Sequence, residues 1–215
     1  MKAATRSPVG ALKNGLVREL YGTICGKLDG YRLDSDAFEA RKGILPFVRG
    51  LRFSSLLIYQ IRKILNRGAW TASWGMIVDE NSGAHSPECD IVVHKNGCVH
   101  AWDGGDDVGG PVMDFRFVSK TDAVLVISCK QMVSSITAEI RKHAASLSTF
   151  VPRTWLFAER CEKRKINNLG KRSKAGGYGE FFFLYSFEQG LIGYEYNEKN
   201  WLRFVDVLRQ VCDRS

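Results

Sequence analysis

The sequence predicts an α/β fold, and three observations predict it. Apolar residues recur at helical spacing up to Gly68, their period drops to two beyond it, and strand-like and helix-like segments then alternate to the C-terminus. At about 100–200 residues per domain, 215 residues suit one compact domain with an appendage. The change of period sets the expected boundary: a helical region over 1–68 packed on an α/β core over 69–215.

In chain order, Leu12, Leu16, Leu20 and Ile24 form one helical stripe. Phe53, Leu56, Leu57, Ile61 and Leu65 form another, with Arg52, Arg62, Lys63 and Arg67 on the remaining faces. Between them a Gly- and Asp-rich connection is expected to hold a short helix around Phe38. Thr71–Glu80 and Pro87–His94 read as strands paired through Asn81-Ser82-Gly83, because Asn and Gly tolerate positive φ. A Gly/Asp-rich loop precedes a third run, Val112–Val118, and Ala123–Gln131 is apolar enough for a central strand. Ser134 and Ser135 offer N-caps to a helix ending near Ser148. Then come strand Thr154–Ala158, a basic loop, strand Glu180–Ser186 and a helix from Asn197 to Cys212.

Composition narrows the function. With 45% apolar residues the chain is not disordered, and no apolar stretch approaches the roughly 20 residues that cross a bilayer. Lys2, Arg6, Pro8 and Lys13 interrupt the N-terminus before a secretory signal can form, so a cytoplasmic protein with six reduced cysteines is expected. A net charge of +8 favours phosphate-rich partners, nucleic acid first. Cys89, His94, Cys98 and His100 lack a Cys-x-x-Cys pair, and Asp103, Asp106 and Asp107 lack the spacing of a calcium loop, so neither group is expected to bind metal. P-loop, dinucleotide and Gly-x-Ser-x-Gly signatures are absent.

Two charged residues stand out in apolar strands. Asp90 interrupts Pro87-Glu88-Cys89-Asp90-Ile91-Val92-Val93, and a buried carboxylate needs a hydrogen-bond donor, a cation or a metal. Lys130 ends Val124-Leu125-Val126-Ile127-Ser128-Cys129-Lys130, and alternation puts Ser128 and Lys130 on one face. If the two strands are neighbours, a carboxylate, a lysine and a hydroxyl converge. A buried ion pair would satisfy both charges equally well.

The run Ser86-Pro87-Glu88-Cys89-Asp90-Ile91-Val92-Val93, followed by an apolar strand ending in x-x-Lys130, resembles the PD-(D/E)XK, or restriction-endonuclease-like, nuclease superfamily. The resemblance spans residues 75–130. It implies a restriction-endonuclease-like mixed sheet flanked by helices, here with an N-terminal helical extension. It also implies a metal-dependent nuclease acting on DNA with Mg²⁺ or Mn²⁺, in restriction or phage defence. By motif Asp90 is then a metal ligand, Lys130 the lysine that places the attacking water, and the Cys129 carbonyl a further ligand. The chain departs from the pattern at Ser128, where the second acid should stand, and a hydroxyl replaces a negative charge poorly. Some members supply that acid from the following helix, which makes Glu139 a candidate; Glu88, on the strand face of Asp90, and Glu80 are others. The departure also keeps open a catalytically silent nucleic-acid-binding or assembly subunit of the same fold.

Lys163, Arg164, Lys165, Lys171, Arg172 and Lys174 would suit a DNA backbone, with RNA not excluded, or else form a solvated loop. Two cuts in a duplex commonly imply a dimer or a larger defence complex. His143, on the apolar face of its helix, reads as structural, and the tryptophans with Phe181, Phe182 and Phe183 read as core.

Overall fold

The computed structural model describes residues 15–29, 46–65, 69–96, 115–188 and 194–214. The short helix expected around Phe38, the Asp103–Asp107 loop, Cys98 and His100 lie outside them.

A helix over 15–29 (α1) and α2 (Pro46–Ile64) precede the strands. Then come β1 (Trp70–Asp79), β2 (Ala84–His85), β3 (Cys89–Lys95), β4 (Phe115–Ser119), β5 (Ala123–Val133), α3 (Ala138–Leu147) and β6 (Thr154–Glu162). A 3₁₀ turn (Lys163–Lys165), α4 (Ile166–Ala175), β7 (Glu180–Phe187), β8 (Glu195–Tyr196) and α5 (Glu198–Asp213) complete the chain. One mixed sheet runs β2-β1-β3-β5-β6-β7-β8, with β4 parallel to β1. The β1–β2 turn uses Gly83 at φ 68°, as the Asn-Ser-Gly signal requires.

The two sheet faces are packed differently. One carries α1, α2 and α5, whose Leu20, Ile24, Phe53, Leu57, Ile61, Trp201, Phe204 and Leu208 bury against Ile91, Val93, Leu125, Ile127, Phe157 and Phe182 in a single cluster. The other carries α3 and α4 and holds two smaller clusters, one around Val92, Val126 and Leu147, one around Leu156, Ala158, Phe181 and Leu169.

Several expectations are corrected. In α1 the buried stripe is Val17, Leu20, Tyr21, Ile24 and Leu28, while Leu16 is 48% exposed, so the helix is rotated from the anticipated Leu12/Leu16 register. The cap of α3 is Thr137, whose Oγ1 accepts from the Ile140 N–H at 3.3 Å, because β5 runs on through Val133 and delays the helix. Most consequentially, the basic segment is not a loop. β6 continues to Glu162, and the chain then turns into α4, whose Leu169 and Ser173 are buried under its cationic exterior. Asn167, Asn168 and Gly170 are poor helix formers, and tertiary burial overrides that propensity.

Candidate active site

The site forms where β3 and β5 part. Their antiparallel pairing runs to Ile91↔Ile127, and the next facing residues on the shared sheet face are Asp90 and Ser128. Past that point the Cys129 amide no longer meets a β3 carbonyl; it donates to Asp90 Oδ2 at 2.8 Å. The start of β3 is held by Ser86. Its buried Oγ accepts from the Ile77 N–H at 2.9 Å, and Pro87 beside it lacks an amide donor. On the facing strand the register shifts between Ser73 and Gly75, and a Cβ at Gly75 would overlap the Arg116 carbonyl of β4.

Burial raises the Asp90 pKa above the usual carboxylate range; the Lys130 ammonium, the Cys129 amide and His143 act against that rise, and Glu88 adds to it. Asp90 and Lys130 therefore share a face and a field, as the alternation of β5 anticipates. Ser128 is fully buried, and its Oγ accepts a long hydrogen bond from the Tyr178 hydroxyl at 3.4 Å. Glu88 Oε1 accepts from the Trp74 indole at 2.8 Å. Glu139 is exposed in the first turn of α3 and is not among the charges acting on Asp90. Burial pushes the Cys89 thiol up to about 12 and the Cys129 thiol well above its usual range, so neither offers a thiolate at neutral pH. His94, of the Cys89/His94 group that lacks a Cys-x-x-Cys pair, is buried with Nε2 2.9 Å from Ser73 Oγ.

Two residues at the site escape the sequence reading. His143 belongs to the sheet-facing stripe of α3 with Ile140, Ala144 and Leu147, but the sheet beneath it is polar. Burial and the neighbouring Lys130 lower its pKa, while Asp90 pulls the other way. Tyr178 arrives by a helix-stop motif. At the end of α4, Gly177 takes φ 95° and the Tyr178 and Gly177 amides bond the Ser173 and Lys174 carbonyls. That turn aims the Tyr178 hydroxyl at the Ile140 carbonyl, 3.2 Å away, and at Ser128, tying α3 to β5 beside Lys130. The Gly176-Gly177 pair after a basic run was the one available signal.

Of the basic residues, Lys163 pairs with Glu195 at 2.7 Å and with Glu188 at 3.5 Å, Lys165 with Glu162 at 2.6 Å, and Lys174 approaches Glu180 at 3.9 Å. Arg164, Lys171 and Arg172 have no ion pair among the described residues. A cavity of about 370 Å³ between α4, β7 and α5, lined by Lys171, Lys174 and Arg203 among others, opens at the sheet edge rather than over Asp90.

With this geometry in hand, solved structures provide a match. The chain is similar to NucC of E. coli MS115-1 in its cAAA-bound form, with TM-score 0.61 and 13% identity over 98% of this chain and 93% of that one. The fold is NucC-like. NucC of P. aeruginosa ATCC27853, also cAAA-bound, gives TM-score 0.60 at 12% identity over 97% and 93% of the two chains. The apo form of E. coli NucC gives 0.50 at 12% identity over 84% and 90%. No protein-family model and no curated protein matches the sequence. The mixed sheet flanked by helices that the resemblance implied is thus the observed architecture. Among the described residues, no helix is long and apolar enough to cross a membrane.

Proposed function

We propose that the chain is a metal-dependent endonuclease that hydrolyses phosphodiester bonds in DNA, in the setting of phage defence. The observation that carries this reading is a half-buried carboxylate and a lysine brought onto one face of two adjacent strands. Burial raises the Asp90 pKa even against the neighbouring Lys130 ammonium. Such a group gains most from a divalent cation. Asp90 and the Cys129 carbonyl would hold Mg²⁺ or Mn²⁺, with waters in the remaining positions, as Mg²⁺ commonly accepts one or two carboxylates. Among the described residues no three His, Cys, Asp or Glu side chains form a ready metal cluster, so the ion would be weakly held.

When bound, that ion supplies charge neutralisation on the phosphate and acidifies water. The chain's own groups do the rest. Asp90 sets the position of the site through its bond to the Cys129 amide. Lys130 donates a hydrogen bond to the attacking water or to a phosphate oxygen and offsets the negative charge that grows as the new P–O bond forms and the old one breaks. Arg164, Lys171 and Arg172, on the outer side of the α4 segment, offer contacts to the DNA backbone. Two cuts in a duplex would bring two copies together.

A specific observation favours a second reading, a catalytically silent nucleic-acid-binding subunit. Ser128 stands where an acid is expected, its hydroxyl is occupied, and Glu139 faces solvent. The deciding experiment incubates plasmid, single-stranded DNA and RNA with Mg²⁺ or Mn²⁺, with and without cAAA, the ligand of the similar NucC structures. Wild type is compared with Asp90→Ala and Lys130→Ala. Metal-dependent DNA cleavage lost in both variants is the expected result. Cleavage that survives both places the chemistry elsewhere, and salt-sensitive binding without cleavage selects the silent subunit.

A further inference from the structure

We infer that the cavity between α4, β7 and α5 holds one unpaired nucleotide of a DNA strand, its phosphate on Lys171 and Lys174 and its base over Phe181 and Phe183; this rests on the DNA-cleaving reading above. The cavity exists because the outer edge of β7 is left open. Among the described residues β8 pairs only with Tyr185 and Ser186, so the first half of β7 carries no outer strand. There α5 takes over: Arg203 Nη2 donates to the Phe181 carbonyl at 2.7 Å, and Asn200 Nδ2 to the Phe183 carbonyl at 2.8 Å. With α4 on one face of the sheet and α5 on the other, the open edge leaves about 370 Å³, within the range of small-ligand sites.

The lining suits an anion with an apolar part. Asn167, Gly170, Lys171 and Lys174 recur at i, i+3, i+4 and i+7, so one stripe of α4 faces the cavity while Leu169 and Ser173 seat the helix on the sheet. Packing does not demand the glycine, because a Cβ at Gly170 would meet no atom within 4 Å. A weak helix former stands there and keeps the space free. Three cations line the cavity against one carboxylate, Glu180, which Arg203 engages at 2.7 Å and Lys174 at 3.9 Å. Arg203 is also fixed over the Phe182 ring, whereas Lys171 has no ion pair among the described residues. The floor is Phe181 and Phe183, whose rings lie 5.9 Å apart. A cationic rim over an aromatic floor matches a phosphate joined to a planar base, and the space admits one nucleotide rather than a base pair. The floor is also in line with the candidate active site. Through Leu156 and Ala158 of β6, Phe181 and Phe183 share sheet rows with Ser128 and Lys130, two strands or roughly 10 Å away. A strand that reaches both crosses the outer side of α4, past Arg172.

The test reads binding by the full chain in EDTA, with a fluorescently labelled short single-stranded DNA and the same sequence as a duplex. Gly170→Leu fills the cavity, keeps every charge and favours the helix, so it should melt no lower than wild type. It is expected to weaken single-strand binding about 10-fold and duplex binding by less than about twofold. Lys171→Ala should weaken single-strand binding and make log K against log salt shallower by about 0.7, the loss of one phosphate contact. Unchanged single-strand affinity in Gly170→Leu would overturn the site and leave surface charge as the attraction. Equal losses for single strand and duplex would overturn the unpaired nucleotide, and displacement of the strand by dAMP at a similar concentration would overturn a strand as its source. Gly170→Ala, which adds one methyl, should bind as wild type does; a loss as large as that of Gly170→Leu would reveal a folding effect and overturn the site. All of this is read without metal, so Asp90-dependent cleavage in Mg²⁺ or Mn²⁺ survives any of these failures. Absence of all DNA binding would remove the DNA reading and the cavity site together.

Discussion

The two faces of the sheet are packed in different ways from the same strands. On the α1/α2/α5 face Ile91, Ile127, Phe157 and Phe182 join helix residues in one unbroken apolar cluster. On the α3/α4 face the apolar packing is divided in two, and Ser128 sits at the division: Val126 of one cluster precedes it along β5, and Leu156 of the other is its β6 partner. Asp90 and Lys130 occupy that gap. The lesson is that the packed core and the candidate site are separated by side-chain alternation. Even-numbered residues of β5 from Val126 to Lys130 face the site, and the neighbouring odd-numbered residues are sealed in the core.

The largest effect should come from breaking the sealed face. Phe157 is fully buried and meets Phe204 edge-on with ring centroids 4.9 Å apart, and it also touches Phe53, Phe182 and Trp201. Phe157→Ala should cost about 3–5 kcal/mol in urea unfolding through the cavity it leaves. A cost under about 1 kcal/mol would contradict the division of labour.

On the open face the sign reverses. Asp90 has a folded pKa above its unfolded value, because burial disfavours the charge. Below the ordinary Asp value, about 3.9, both states are protonated and the group costs nothing. The cost builds as pH rises from that value toward the raised folded value and is fully present above it. Asp90→Asn, which can still accept from the Cys129 amide, should therefore be more stable than wild type at pH 7 in EDTA, with the difference shrinking toward acid. Its cleavage rate should fall about 100-fold or more, about 2.7 kcal/mol of barrier. A variant that loses stability and activity together would make Asp90 a structural residue.

What the sequence disclosed follows the same division. α2, α5 and β5 could be read because their partners are apolar on the expected side, so periodicity alone locates them. Asp90 and Lys130 could be read because charge in an apolar strand is conspicuous, and the β3–β5 pairing then brings them onto one face. α4 could not, since Asn167, Asn168 and Gly170 argue against a helix that the burial of Leu169 and Ser173 stabilises. His143 sat on the predicted face of α3, yet its surroundings depend on which strand residue lies beneath it, and no helical wheel contains that. Tyr178 reaches the site only through the left-handed Gly177, a long-range consequence of a local turn.

Tyr178 gives a smaller test of the same face. Tyr178→Phe keeps the ring in its cluster but removes the bonds to Ser128 and the Ile140 carbonyl. It should cost about 1 kcal/mol in unfolding free energy. If Tyr178 helps to position the Ser128–Lys130 segment of β5, the DNA-cleavage rate should drop as well, which a hydroxyl serving only the helix contact would not cause.

The smallest effect concerns a second aspartate on the same sheet, at the far end of β1. Asp79 Oδ2 accepts from Lys120 Nζ at 2.9 Å and Oδ1 accepts from the Asn81 amide at 3.1 Å. The hydrogen bond from Lys120, followed by that amide, holds its pKa below the usual carboxylate range. A depressed folded pKa contributes stability that is present above the unfolded value and is lost as pH falls through the folded one. Asp79 and Asp90 thus oppose each other. Lowering the pH removes a benefit at Asp79 and a burden at Asp90, although both are strand carboxylates near a lysine. What differs is the immediate partner: Asp79 meets its lysine directly at 2.9 Å on the exposed Lys120 side, whereas at Asp90 burial outweighs Lys130 and the Cys129 amide. Lys120→Ala should therefore destabilise only slightly at pH 7, less still at 1 M salt, where exposed pairs are screened, and not at all once Asp79 is protonated. The Asp90→Asn difference should be far less sensitive to salt, because burial rather than a screened neighbour sets it. Equal salt sensitivity at the two aspartates would mean that the Asp90 site is open to water.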